Sequence, residues 1–155
     1  MNNTELTRKM FEKGVYDATE LRTKAAAGTV TDTEIIDKED AVPMWDGTKD
    51  YTSCPAGSPF RYGDQVYGLL IPHNPSHYPG VTPANNRTLW SLKHTTNPYK
   101  AKEYVQSEGT SGLYAMGECC TDPLWEDPTA VHISKVNDND RRPSEYPANW
   151  TVWEG

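Results

Sequence analysis

The sequence predicts an α+β protein: short N-terminal helices followed by two small all-β modules, each a three-stranded antiparallel sheet. Three observations point there. Helix start and stop signals are confined to residues 4–40. From Asp40 onward Pro43, Gly47, Pro55, Gly57 and Pro59 follow one another too closely for any helix. One pattern is also written twice, as Phe60-Arg61-Tyr62-Gly63-Asp64-Gln65-Val66 and as Tyr114-Ala115-Met116-Gly117-Glu118-Cys119-Cys120. Both are an aromatic, two spacers, Gly, an acid, a spacer and a residue that can be buried. A repeat marks a unit that folds on its own scale, here one too small for an enzyme core.

In chain order, Thr4 can cap a first helix over residues 4–13, with Leu6, Met10 and Phe11 on one face and Gly14 as its stop. Asp17-Ala18-Thr19-Glu20 has the form of a capping box opening a second helix, which Gly28 is placed to end. Thr31-Asp32-Thr33-Glu34 repeats the start signal for a third, whose apolar content is Ile35 and Ile36. Such short helices bury little alone, so this segment is expected to dock on a partner. It forms the first region, residues 1–40.

Residues 41–93 make the first β module, with its best strand at 62–72 and a loop held extended by Pro72, Pro75, Pro79 and Pro83. A connector, 94–112, has room for one helical turn around 101–105. The second module, 113–155, has strand candidates at 114–120 and 131–136, and the Asn137-Asp138-Asn139-Asp140 cluster is a turn. Gly63 and Gly117 suit turns that need positive φ, and Asp64 and Glu118 suit acceptors for backbone N–H groups in those turns.

Composition narrows the function. Of 155 residues 35% are hydrophobic and only two are Phe, too few for a large core, yet five Trp and nine Tyr argue against disorder. The net charge of −7 repels polyanions, so nucleic acid is not an expected partner. No apolar run is long enough to span a membrane, and the N-terminus lacks the basic start and apolar run of a secretory signal. Cys54, Cys119 and Cys120 cannot all pair within one chain, which suits reduced thiols in a protein assembled in a cytoplasm. The Asn2, Asn86 and Asn149 sequons carry no weight without a signal.

No metal, cofactor or catalytic site is expected. His73 and His77 have zincin spacing, but Pro72 and Pro75 forbid the helix that would align them. The Asn137–Asp140 cluster lacks the Gly and distal Glu of a calcium loop. No nucleophile-and-base arrangement emerges from the order of residues, so the chain is expected not to be an enzyme.

Residues 10–36, from Met10-Phe11-Glu12-Lys13-Gly14-Val15-Tyr16 through Ala27-Gly28-Thr29-Val30-Thr31, resemble the short XkdX-like proteins of tailed phages and prophages. The two repeats resemble type-3 chitin-binding, carbohydrate-binding modules, whose pattern is Tyr-x-x-Gly-Asp-x-Val, an apolar strand and a Pro-rich loop closing on Trp. Phe60, Gly63, Asp64, Val66, His73, Thr82-Pro83 and Leu89-Trp90 carry the likeness in the first copy. Tyr114, Gly117, Ser134, Pro143 and Tyr146-Pro147-Ala148-Asn149-Trp150 carry it in the second, with Glu118 for Asp, Cys120 for Val and an insert at 121–129.

The resemblance implies a virion accessory protein: a head fibre, capsid decoration or tail appendage. It would be assembled in the host cytoplasm and then carried on the particle. Residues 4–40 would attach it to other virion proteins, and the β modules would meet host or environmental polysaccharide. A homo-oligomer, such as a trimer, is expected because weak single-site sugar binding becomes useful in several copies.

Sugar rings pack their C–H faces on exposed aromatics, so the candidate carbohydrate-binding residues are Trp45, Tyr78, Trp90, Trp125, Tyr146 and Trp150. Burial tendencies favour a core role for Trp90 and Trp150, while Trp125 and Tyr78 lie in polar, Pro-flanked loops. Two other readings stand beside this one. In the first the modules are spacers or protein–protein surfaces with their aromatics buried at interfaces. In the second the chain is a detached targeting subunit of a glycan-degrading enzyme.

Overall fold

The computed structural model describes residues 21–28 and 30–155. The expected helix at 4–13 and the capping box at 17–20 lie outside the described residues. Residues 21–26 are helical, and Gly28, at φ +71°, donates its N–H to Ala25 O (3.1 Å) as a C-terminal stop. The next helix, Asp32–Asp37, starts as its sequence dictates: Thr31 Oγ1 accepts from Glu34 N at 3.1 Å.

Seven strands follow: β1 Pro59–Tyr62, β2 Gln65–Leu69, β3 Trp90–Leu92, β4 Lys102–Glu103, β5 Cys119–Thr121, β6 Val131–Ser134 and β7 Trp150–Val152. One sheet is antiparallel in the order β1-β2-β3. The other has the order β4-β5-β6-β7, with β4 parallel to β5. The fold class is α+β, as the sequence predicts, but several expectations change. The connector forms a 3-10 turn, Pro98–Lys100, and then β4, where a helical turn at 101–105 was expected, and β4 makes the second sheet four-stranded. The expected strand at 62–72 is shorter: Gly63 (φ +59°) and Asp64 form the turn of the β1–β2 hairpin, and β2 runs only from Gln65 to Leu69. Likewise, of residues 114–120 only Cys119 and Cys120 enter a strand, while Tyr114 makes a single bridge to Asn139.

The duplication is present in the backbone, but its register differs from the one the motifs suggest. Gly57 N donates to Leu69 O (2.7 Å) and Gly117 N to Ser134 O (2.9 Å), with φ of +93° and +91°. Leu70 N binds Leu89 O as Lys135 N binds Asn149 O, and Lys93 N binds Val66 O as Trp153 N binds Val131 O. The Tyr51 hydroxyl accepts from Asp46 N at 2.8 Å, and the Tyr114 hydroxyl from Val105 N at 3.3 Å. Trp90 faces Leu69 across β2–β3, as Trp150 faces Ser134 across β6–β7.

Gly117 therefore matches Gly57, Tyr114 matches Tyr51 and Cys120 matches Phe60. The likeness of Phe60-x-x-Gly63-Asp64 to Tyr114-x-x-Gly117-Glu118 is a coincidence of turn chemistry. Gly63-Asp64 is a hairpin tip, whereas Gly117-Glu118 leads into a strand. Glu118 accepts from Ala115 N at 2.6 Å, but no hydrogen bond reaches the Asp64 side chain among the described residues.

Each sheet has its own core. Tyr51, Phe60, Tyr67, Leu69, Leu89, Trp90 and Leu92 fill the first, and Tyr104, Tyr114, Cys120 and Trp150 the second. Edge-on ring contacts hold both, Tyr51–Trp90 at 6.3 Å and Tyr114–Trp150 at 5.4 Å. A third cluster joins Leu21, Ile35 and Ile36 to Val42 and Val66. Leu21, Ile35 and Ile36 of the segment expected to dock on a partner are thus buried within the chain itself, against Val42 and the β2 residue Val66.

The same helical region grips the connector. Lys93 Nζ pairs with Asp32 at 3.0 Å, Thr96 N donates to Thr33 Oγ1 at 2.8 Å, and Asn97 Nδ2 donates to Asp37 Oδ1 at 2.8 Å. Lys102 pairs with Glu39.

Candidate functional site: an aromatic-walled groove on the first sheet

Two of the six candidate aromatics come together. Trp45 and Tyr78 stand in a groove of about 340 Å³, whose lining includes Gly47, Pro75, Ser76 and Thr82. Trp45 is fixed from several sides. Its N–H donates to Arg61 O at 2.7 Å, and its indole meets the Tyr62 ring edge-on at 5.5 Å. Gly47 lies close beneath, where an added Cβ would sit 3.1 Å from the indole Cη2. The neighbouring Asp46 accepts from Thr48 Oγ1 (2.6 Å) and Thr48 N (2.9 Å), bonds that hold its carboxyl below its ordinary pKa.

The rest of the lining comes from a loop stiffened by proline. Asn74 Oδ1 caps the 3-10 turn Pro75–His77 by accepting from Ser76 N at 3.0 Å. Tyr78 then stands edge-on against His73 at 5.4 Å, with 42% of its surface exposed. Asn85 closes the loop by accepting from Thr82 N (2.8 Å) and donating to Gly80 O (2.9 Å). No charged side chain lines the groove. Two flat rings, proline edges and a few hydroxyl and backbone groups make a surface for a neutral ligand with apolar faces.

The other four candidates are elsewhere. Trp90 and Trp150 are buried in the two cores, where neither offers a face to a ligand, because each sheet is too small to form a core without its indole. Trp125 is half-buried and stands edge-on to His132 at 4.5 Å. Tyr146 is 48% exposed, and neither it nor Trp125 lines the groove. One aromatic pair escaped the sequence reading: exposed Tyr99 and half-buried Trp153 meet edge-on at 5.0 Å, from two segments whose spacing carries no signal.

His73 Nδ1 lies 2.8 Å from Ile71 O. Among the described residues no three His, Cys, Asp or Glu side chains gather as metal ligands, and no helix is long and apolar enough to cross a membrane. The three cysteines are unpaired. Burial, and then Glu118, push Cys119 up to about 11, and burial raises Cys120 further.

The fold and the site together define an α+β chain with a duplicated small sheet and an aromatic-walled groove on the first copy. No protein-family model matches the chain, and no curated protein matches it.

Proposed function

We propose that this chain is a non-enzymatic adhesion protein of a phage virion, holding neutral polysaccharide in the Trp45–Tyr78 groove. The observation that carries the reading is the groove itself, which brings two aromatic side chains from distant loops into one lining that holds no charged side chain. The resemblance of residues 10–36 to XkdX-like proteins supports the virion setting, and that of the first copy to carbohydrate-binding modules supports the sugar. A head fibre, capsid decoration or tail appendage would present the groove equally well. Attachment to other virion proteins is assigned to the chain before residue 21, since Ile35 and Ile36 are already buried. Assembly as a homo-oligomer would multiply a weak single contact.

Pull-down on chitin and cellulose, with Trp45→Ala and Tyr78→Ala beside the wild type, tests the reading. Retention lost in both variants, and kept in Trp125→Ala, is the expected pattern. If wild-type protein is retained by neither polymer, nor captured on an array of neutral glycans, the sugar reading is wrong.

The spacer reading is favoured for the second copy by a specific feature, the covering of Tyr104 by Arg142.

A further inference from the structure

Superposing the two copies by their hydrogen bonds shows what became of the groove in the second. Trp45 N donates to Arg61 O, and Tyr104 N donates to Thr121 O, so Tyr104 stands where Trp45 stands in the first copy. Asn85 N binds Thr82 O as Glu145 N binds Arg142 O, which makes Arg142 the counterpart of the groove residue Thr82. Tyr62, which meets the Trp45 ring, is matched by Asp122, the residue after Thr121.

We infer that Arg142 closes the second copy's groove, leaving the chain one ligand site rather than two. The Arg142 guanidinium carbon lies 5.2 Å above the Tyr104 ring centroid, and Tyr114 stacks on the same ring at 5.4 Å, so Tyr104 is buried where Trp45 is only half-buried. It is held there by Asp122, whose side chain is wholly buried and whose Oδ1 lies 3.3 Å from Arg142 Nε. Asp122 is itself fixed, accepting from Leu124 N and Ser144 N at 2.9 Å each. Burial works to raise its pKa, but those hydrogen bonds and the Arg142 cation outweigh it and hold the carboxyl below its ordinary value. Where the first copy sets Thr82 and Tyr62 around an indole, the second sets an ion pair around a phenol.

The rest of the lining is missing as well. In the first copy residues 70–81, including the Pro75–His77 turn and Tyr78, run between β2 and Thr82; in the second only residues 135–141 connect β6 to Arg142. Removing the arginine would therefore bare the ring without building a site.

The inference rests on the adhesion reading for its ligand, but closure can be measured without one. Hydroxyl-radical footprinting of the intact chain should oxidise Tyr78 several-fold faster than Tyr104. In Arg142→Thr the Tyr104 rate should rise toward that of Tyr78. Arg142→Met, which keeps a long side chain over the ring, should leave it low, and so separates unsealing from unfolding. Titration of the wild type with a soluble β-linked N-acetylglucosamine oligosaccharide should give one site per chain. Equal oxidation of Tyr104 and Tyr78 in the wild type, an unchanged Tyr104 rate in Arg142→Thr, or two sites per chain would each overturn closure. Absence of oligosaccharide binding would count against the adhesion reading alone, and the footprint would still decide whether the second groove is closed.

Discussion

Replacing each core tryptophan by phenylalanine should have unequal costs, although Trp90 and Trp150 hold matching places in the two sheets. Both changes shrink a buried indole to a phenyl ring, so the loss of packing is similar. The indole N–H differs. Trp150 Nε1 donates to Arg141 O at 2.9 Å, and losing that bond costs about 0.5–1.5 kcal/mol. Trp90 Nε1 is buried with no partner, a burden of about 1–3 kcal/mol that phenylalanine removes. Trp150→Phe should therefore destabilise the protein more than Trp90→Phe, by roughly 1.5–4.5 kcal/mol from the sum of those two effects. Urea unfolding followed by circular dichroism measures the gap, provided the slope of the transition is unchanged between variants. Equal midpoints, or a costlier Trp90→Phe, would refute the assignment of an unpartnered donor in the first core.

Gly57→Ala should cost more than Gly117→Ala by about 1 kcal/mol or more, although both sit at positive φ. A Cβ at Gly57 would lie 2.9 Å from Ala25 O, whereas at Gly117 its nearest neighbour is Thr96 Cγ2 at 3.9 Å; thermal unfolding of the two variants compares them. Acidification should destabilise the fold, because burial holds His94 and His132 below the ordinary value of 6.5. The unfolded chain then binds more protons than the folded one, so stability falls as pH drops below about 6.5 toward the folded values. Urea midpoints between pH 7.5 and 5 should show it, and His132→Leu should flatten the dependence. Alkylation of the native protein by iodoacetamide at neutral pH should mark half-buried Cys54 first, while Cys119, pushed up to about 11, and Cys120 react only on unfolding. Peptide mass spectrometry reads the order, and early labelling at Cys119 would contradict its burial.

Local signals in the sequence translated well where one residue answers to its near neighbours. The Thr31–Glu34 cap, the Gly28 stop and the positive φ of Gly63 and Gly117 are all fixed within a few positions, and all form. The repeat was visible, but its alignment was not. The first copy has a longer stretch between its aromatic and its glycine, Tyr51 to Gly57 against Tyr114 to Gly117, and the hairpin tip at Gly63-Asp64 offered a closer match to the motif. β4 went unseen because two residues carry no periodicity, and its existence depends on β5. Within the site, Trp45 and Tyr78 could each be named from type and loop context. Their pairing could not, since it depends on how Gly47 and the Pro75–His77 turn bring separate loops together. Arg142 gave no signal at all, because its role appears only when one copy is laid on the other.

The contacts between residues 32–39 and the connector have a mechanical consequence. Lys93, Thr96, Asn97 and Lys102 are each tied to the helical region, and Gln65 Nε2 reaches Glu103 O at 3.0 Å. A linker tied at so many points acts as a strut, not a hinge, so the second sheet keeps a set heading relative to the first. Little orientational freedom between the two sheets is then left to lose in any contact that engages both at once.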